Sequence, residues 1–349
     1  MSKALTVARR IQIGKESTRG TAVAATRKIA TKSATYRINP THERFPDLMH
    51  GTLANTAQAP VNTRNATEFE IVNDLDFEQI LLPLLSGLKG GVTPSTPGTG
   101  EARLWTFTPA IDADPLPTTY TIEFADRDMD ASPNELGHEA PFGITTGFQI
   151  TGGRDMLPQL TTTMVARKSS ITASTGALSL PTLSHAGNLR WALYMDSAWA
   201  NLGNTQIIGE VFGFTYTFSE FLQPDYFLDN RADLDFSSYK FNPRVVDLVI
   251  DATLGVASSD LVPTEDDLLT TKRFIRLGHT GAAFDSPDDS LSRFVRLDGA
   301  YYHEDDSMAD RGTDQDGNAI TRLHLKSTYD SVQAQDIEIA VQNNLTAFP

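Results

Sequence analysis

The sequence predicts a mainly β protein with few helices. It is organised as two tandem β-sandwich or barrel modules, each flanked by a short helix, with an extended N-terminal arm and long loops. Three observations predict this. From Tyr36 onward, short alternating or β-branched runs recur between Gly, Pro, Asn and Asp, the period of half-buried strands rather than of helices. At 349 residues the chain has the length of two domains rather than one. The order of elements in the first half returns in the second, at an offset of roughly 175–180 residues.

Residues 1–34 come first. They are rich in Thr, Ala, Lys and Arg without a clear period, which predicts an extended arm. Residues 1–44 carry ten basic side chains against Glu16 and Glu43, a net +8, so the remainder of a chain of net charge −15 carries −23. A basic arm on an acidic body fits self-association, the arm of one copy docking on the body of the next. It also fits phosphate binding or a solvated tail. Nucleic-acid arms interleave aromatics with their charges, and the first 35 residues contain none. Removal of the arm is expected to leave a folded body.

The first module is placed at residues 35–170. Strands are predicted at Thr35–Ile38, Phe69–Val72, 119–124 and 143–165, with a short core helix over Asp76–Leu88 that Pro83 breaks or kinks. A linker region follows at 171–210, with the boundary near the small, polar Ser169–Ser184 stretch. Residues 187–200 read equally as a helix or a strand pair.

The second module is placed at 211–349. Strands are predicted at 211–218, 245–250, 293–302 and 320–341, and Asp316-Gly317 marks a hairpin turn. A helix is predicted over Pro263–Leu277: Pro263 suits a first-turn position, and Glu265, Asp266 and Asp267 precede Lys272, Arg273 and Arg276, complementing the helix dipole.

Chemistry-bearing motifs fail in turn. With no cysteine, the chain has no disulfide, Fe–S cluster, cysteine zinc site or thiol nucleophile. P-loop, dinucleotide, GxSxG and HExxH patterns are missing. His138-Glu139 and His303–Asp306 read as solvated loops. Asp310–Gly317 matches three EF-hand positions, but Gly312 and Leu323 fall where the first and twelfth ligands belong. The expectation is a non-catalytic protein without metal or cofactor. No apolar run approaches a membrane span and no signal-peptide core is visible, so a protein made and used without secretion is expected.

The long inserts at 39–66 and 219–243 are the informative part. Loops of this length inside compact domains are usually functional or disordered. These mix Phe45, Leu48, Met49, Tyr226 and Phe227 with charges and prolines. They either fold back on their own module or become ordered against a neighbouring subunit. With Arg9, Arg10, Lys15 and Arg19 of the arm, those five residues are the candidate inter-ring and inter-subunit contacts.

The run Ile11-Gln12-Ile13-Gly14-Lys15-Glu16-Ser17-Thr18-Arg19-Gly20-Thr21-Ala22-Val23-Ala24-Ala25-Thr26 resembles the N-terminus of the tail tube (major tail) proteins of long-tailed, non-contractile bacteriophages. Leu297–Tyr302, the central Asp-Gly turn and Val341–Leu345 are similar to the end of the same family. The resemblance implies strands that continue between subunits into rings, stacked into a hollow tube through which DNA passes without specific binding. It also implies tape measure and tail terminator proteins as partners, and a place in the virion tail after assembly in the host cytoplasm. Members of the family are about half this length and form hexameric rings. Two tube modules per chain make a trimeric ring with pseudo-sixfold symmetry the natural arrangement; the other arrangement is six chains with one half decorating the exterior. The rival readings are another virion barrel protein, such as a capsid decoration, baseplate or tail terminator protein, and a carbohydrate-binding β-sandwich. An acidic body suits a conduit, since attraction to phosphate at many stacked rings would trap the polymer.

Overall fold

Alternation along the chain becomes alternation across a sheet. In Thr67–Asp74 the first, third, fifth and seventh side chains are buried and the others are not, and Val245–Thr253 repeats the pattern with every second residue buried. The computed structural model describes residues 9–43, 60–126, 136–154, 156–176, 178–185, 190–219, 221–253, 271–304, 310–313 and 319–349. Within them the chain is mainly β, in large antiparallel sheets.

The first half contributes β1 (Arg10–Lys15), β2 (Arg27–Ile29), β3 (Ser33–Ile38), β4 (Thr41–Glu43), β5 (Val61–Arg64) and β6 (Thr67–Asp74). After a helical segment come β7 (Arg103–Phe107), β8 (Tyr120–Asp126), β9 (Leu136–Gly153), β10 (Met156–Ala166) and β11 (Ser170–Thr172). The second half contributes β12 (Trp191–Asp196), β13 (Gln206–Ile207), β14 (Val211–Ser219), β15 (Leu222–Asp225), β16 (Ser238–Phe241) and β17 (Val245–Thr253). It closes with β18 (Arg273–Ala283), β19 (Ser292–His303), β20 (Asp310–Thr313), β21 (Ala319–Ser327) and β22 (Ile337–Asn343).

The ladders of the two halves correspond. In the first, β1 pairs with β2 and β8, β8 with β9, β9 with β10 and β11, β10 with β6, β6 with β3, and β4 with β5. In the second, β12 pairs with β13 and β18, β18 with β19, β19 with β21 and β22, β21 with β17, β17 with β14, and β15 with β16. Every one is antiparallel. Among the described residues two ladders join the halves, β9 to β14 and β7 to β22. They make one uninterrupted sheet path, β3-β6-β10-β9-β14-β17-β21, and the larger of two apolar clusters takes residues from both halves, including Ile11, Phe69, Ile150, Tyr216, Leu248 and Ile339. The indole of Trp105 on β7 donates to Asn343 on β22 at 3.1 Å, and the Asn343 amide donates to the Phe77 carbonyl at 2.8 Å, so the seam is also polar.

Four sequence expectations change. The segment read as an arm over 1–34 is built into the sheets from Arg10 onward: Ile11 and Ile13 are buried at 1% and 0% exposure, because the unnoticed alternation Arg10-Ile11-Gln12-Ile13 lays two isoleucines on one face. Residues 1–8 lie outside the described residues. A truncation through residue 34 therefore removes core strands, and the expectation that it leaves a folded body is withdrawn. The helix expected over Pro263–Leu277 is not one where it is described: residues 273–277 open β18, hydrogen-bonded between β12 and β19, and residues 254–270 lie outside the described residues. Arg276, read as a C-terminal helix charge, instead pairs with Asp298 on the neighbouring strand at 2.8 Å. The 171–210 segment, read as a linker, holds β12 and β13; of the 187–200 stretch, the described residues 190–200 form a strand at 191–196 and enter a short helical turn at Trp199–Asn201, and residues 187–189 lie outside the described residues.

The helix expected at 76–88 forms as a buried turn Leu81–Pro83 running into a wider π-type turn Leu84–Leu88. Asp76 accepts the N–H groups of Glu78 and Gln79, both at 2.9 Å, in the turn that leads into the helix. Pro83 lies in the first turns, where its missing donor is tolerated. The tip Asp316-Gly317 lies outside the described residues; its flanking strands β20 and β21 pair with Thr313 opposite Ala319.

Candidate assembly interface

The motif that carries the family resemblance folds as a clip around two buried carboxylates. Glu16 accepts hydrogen bonds from the N–H of Gly20 at 2.7 Å, the hydroxyls of Thr119 and Thr121 at 2.8 and 3.0 Å, and the N–H of Phe142 at 2.7 Å. Glu123 accepts from Gln12 Nε2, the N–H of Ala25 and both the N–H and hydroxyl of Thr175. Buried charges persist only where such donors replace water. Two glycines make the clip possible. The backbone returns so close to Gly14 that a Cβ there would lie 2.4 Å from the Ala24 carbonyl oxygen. Gly20 adopts φ +72°, and a Cβ there would lie 2.1 Å from the Arg167 guanidinium.

The four basic candidates divide by depth. Arg9 lies with its guanidinium 5.3 Å from the Phe124 ring and donates to the Ala34 carbonyl at 3.2 Å. Arg10 donates to the Ser174 hydroxyl at 2.7 Å. Both are half-buried and hold the segment to its own body. Lys15 and Arg19 are exposed. Arg19 stands 5.3 Å from the ring of Tyr239, whose hydroxyl donates to Asp114 at 2.8 Å. Burial first, and then that bond to Asp114, push the Tyr239 pKa up to about 12.

The insert at 219–243 divides in the same way. At its base Phe221, Leu222 and Phe236 are buried, and β15 and β16 form a hairpin. The segment is tied to the first half where the Asn65 N–H donates to the Leu234 carbonyl at 2.8 Å and the Asn65 amide donates to the Asp233 carbonyl at 2.6 Å. Tyr226 is half-buried, edge-on to Phe236 at 6.1 Å and 5.2 Å from the Arg64 guanidinium; burial raises its pKa, and Arg64 opposes the rise. The tip is different: Phe227 is 60% exposed and Leu228 fully so. Folding back and presenting a surface were alternatives at the level of sequence, and the insert does each with a different part. Phe45, Leu48 and Met49 lie outside the described residues; the insert that carries them is entered and left through the β4–β5 ladder.

Some of the exposed apolar residues that sequence reasoning missed lie on strands with an open edge. Ile38 on β3 and Ile171 on β11 are 44% and 71% exposed. A single sequence marks neither, because each sits in a strand of ordinary pattern, with no neighbouring strand on its outer side among the described residues. Among the described residues no group of three or more His, Asp or Glu side chains is placed to hold a metal ion, and no helix is long and apolar enough to cross a membrane. The face of the long sheet turned from the core carries short polar groups, among them Thr161, Thr163, Gln149, Thr151, Thr215 and Thr217, with the Gln149 amide donating to the Thr217 hydroxyl across the seam between the halves at 3.0 Å.

No protein-family model matches this chain, and no curated protein matches it significantly.

Proposed function

We propose that the chain is a self-assembling, non-catalytic structural subunit, the tail tube protein of a long-tailed bacteriophage, with two tandem tube modules per chain. The observation that carries this reading is the recurrence of one ladder plan in both halves together with their edge-to-edge junction. The chain already contains two consecutive units of a head-to-tail series. Contacts of this kind are heterologous, and a heterologous series closes into a ring or runs on as a filament. Closure also removes the exposed strand edges that invite uncontrolled pairing.

Magnitudes favour the ring of three. Eight strands, counting β20 beside β21, at about 4.8 Å give about 38 Å of wall per chain, so three chains give about 115 Å around, a bore about 37 Å across between backbones before strand tilt widens it. An acidic chain lining such a bore repels rather than holds a polyanion. Phe227, Leu228, Lys15 and Arg19 then serve contacts between rings, with tape measure and terminator proteins at the ends of the tube and the virion tail as its location.

Negative-stain images of the concentrated protein test the reading. Hollow tubes or stacked rings of uniform bore are expected. Discrete particles would favour a different virion barrel protein, and a monomer that binds glycans would favour the carbohydrate-binding sandwich.

A further inference from the structure

Resting on that self-assembly reading, we infer that the outer edges of β3 and β11 are the docking site for the second half of another copy of this chain.

The ladders give the residue correspondence. On β6, Thr67, Phe69 and Ile71 stand opposite Ile38, Tyr36 and Ala34. On β17, Val246, Leu248 and Ile250 stand opposite Phe218, Tyr216 and Phe214. Buried residues alternate in step on the two strands, so Ile38 corresponds to Phe218 and Tyr36 to Tyr216. Phe218 is 1% exposed because β9 pairs along the outer edge of β14, setting Phe148 opposite it with ring centroids 5.2 Å apart. Ile38 is 44% exposed, and among the described residues no strand pairs with the outer edge of β3. The Asn39 N–H bonds to the carbonyl of Ala66, the residue before β6. Alternation therefore turns the N–H and C=O of Ile38 to the open side, ready for a further strand.

The same comparison holds at the other edge. His138 stands opposite Phe124 and Ile171, as Leu297 stands opposite Leu277 and Ile339. Ile171 therefore corresponds to Ile339. Ile339 is fully buried under Phe107 of β7, which arrives from the first half. Ile171 is 71% exposed. Both residues left uncovered in the first half are thus covered in the second, each by a strand of the unit before it. The unit that precedes a first half is the second half of another copy. Its counterpart of the β9 stretch that covers β14 runs on from His303 into β20, which pairs with β21 as the second part of β9 pairs with β10; the counterpart of β7 precedes Thr271, outside the described residues. A second copy is the occupant because the surface that fits these edges is already used once inside the chain.

The test uses the full chain and its lack of cysteine. Ile38→Asp and Ile171→Asp each change an exposed residue, so their melting temperatures should match the parent within about 2 °C. Each should raise the protein concentration at which tubes or rings appear at least about tenfold, as read by light scattering and electron microscopy. In a second measurement, Ile38→Cys and Ile171→Cys should react with a maleimide at least about tenfold more slowly in the assembled than in the dispersed state. Val332→Cys, at a turn where Val332 is 84% exposed, serves as the control that stays reactive. Assembly at an unchanged threshold in both Asp variants, or labelling that stays equally fast on assembly, overturns this assignment and leaves the tube reading standing. A folded parent protein that stays monomeric at every concentration overturns both.

Discussion

Glu16 accepts the N–H of Phe142 at 2.7 Å at the point where β9 passes from one sheet to the other. Up to Gly143, β9 pairs with β8; from Ile144 it pairs with β10, and the register with β8 slips between Ile122 and Tyr120. Phe142 takes φ +60°, a strained conformation for an aromatic residue. The carboxylate of the N-terminal clip thus satisfies the backbone at the corner on which the first half turns. Glu16→Ala leaves two backbone N–H groups and two hydroxyls without their buried acceptor. A loss of about 3 kcal/mol in unfolding free energy is expected, read as a lower denaturant midpoint. A midpoint within error of the parent would show that water replaces the carboxylate and that the clip is incidental.

Gly20 and Arg167 should be energetically coupled. The guanidinium donates to the carbonyls of Phe236, Gly20 and Ser237 at 2.8, 3.3 and 3.2 Å and lies 4.6 Å from the Phe142 ring. Gly20→Ala places a methyl where that guanidinium sits and also meets the backbone penalty of positive φ, about 1 kcal/mol. The penalty remains in an Arg167→Ala background, whereas the steric part vanishes. A double-mutant cycle should return a coupling of about 1–2 kcal/mol; strict additivity would place the clash elsewhere.

Much of this was legible beforehand and some was not, for physical reasons. Strand runs such as Thr67–Val72 and Val245–Ile250 were visible because one face of each meets the core, which imposes period two on the sequence. The insert at 219–243 was visible because apolar residues without a period stand out. The basic N-terminal segment was not legible as strand because its charge reports partners rather than fold, while the strand signal there is carried by Ile11 and Ile13 alone. The Pro263–Leu277 pattern misled because a gradient of acid to base satisfies a helix dipole and equally satisfies cross-strand pairs such as Arg276 with Asp298. Glu16 and Glu123 carried little local signal as buried groups: apart from Gly20, four residues from Glu16, their donors are Thr119, Thr121 and Phe142 for the one and Gln12, Ala25 and Thr175 for the other, positions that only the fold brings together.

The tip of the 219–243 insert separates assembly from folding. Phe227→Asp and Leu228→Asp act on exposed side chains, and their unfolding free energies should lie within about 0.5 kcal/mol of the parent. Under the tube reading they abolish stacking in sedimentation and electron microscopy. Phe236→Ala, three residues from the exposed Asp233 yet fully buried, should instead cost about 3–5 kcal/mol. Cooperative loss of the fold in Phe227→Asp would make the tip part of the core.

Acid stability should bear the mark of Asp288. Its buried carboxylate accepts the N–H groups of Thr99 and Gly100 through one oxygen, at 3.0 and 2.9 Å, and of Ala102 through the other at 2.8 Å. These bonds, that from Ala102 foremost, hold its pKa below the ordinary aspartate value. A group whose folded pKa is depressed stabilises the protein above its unfolded pKa, and that contribution disappears as pH falls through the folded one. Glu139 runs the other way: burial and then the nearby Glu123 raise its pKa, so falling pH relieves a penalty there. Melting temperatures of the parent and of Asp288→Asn, measured from pH 7 down to about pH 2, isolate the first effect from all other carboxylates. The gap should be constant and in favour of the parent near neutrality, and should close only below the ordinary aspartate range. A gap that closes between pH 7 and 5 instead would mean that the loop 99–102 does not hold Asp288 in its charged form.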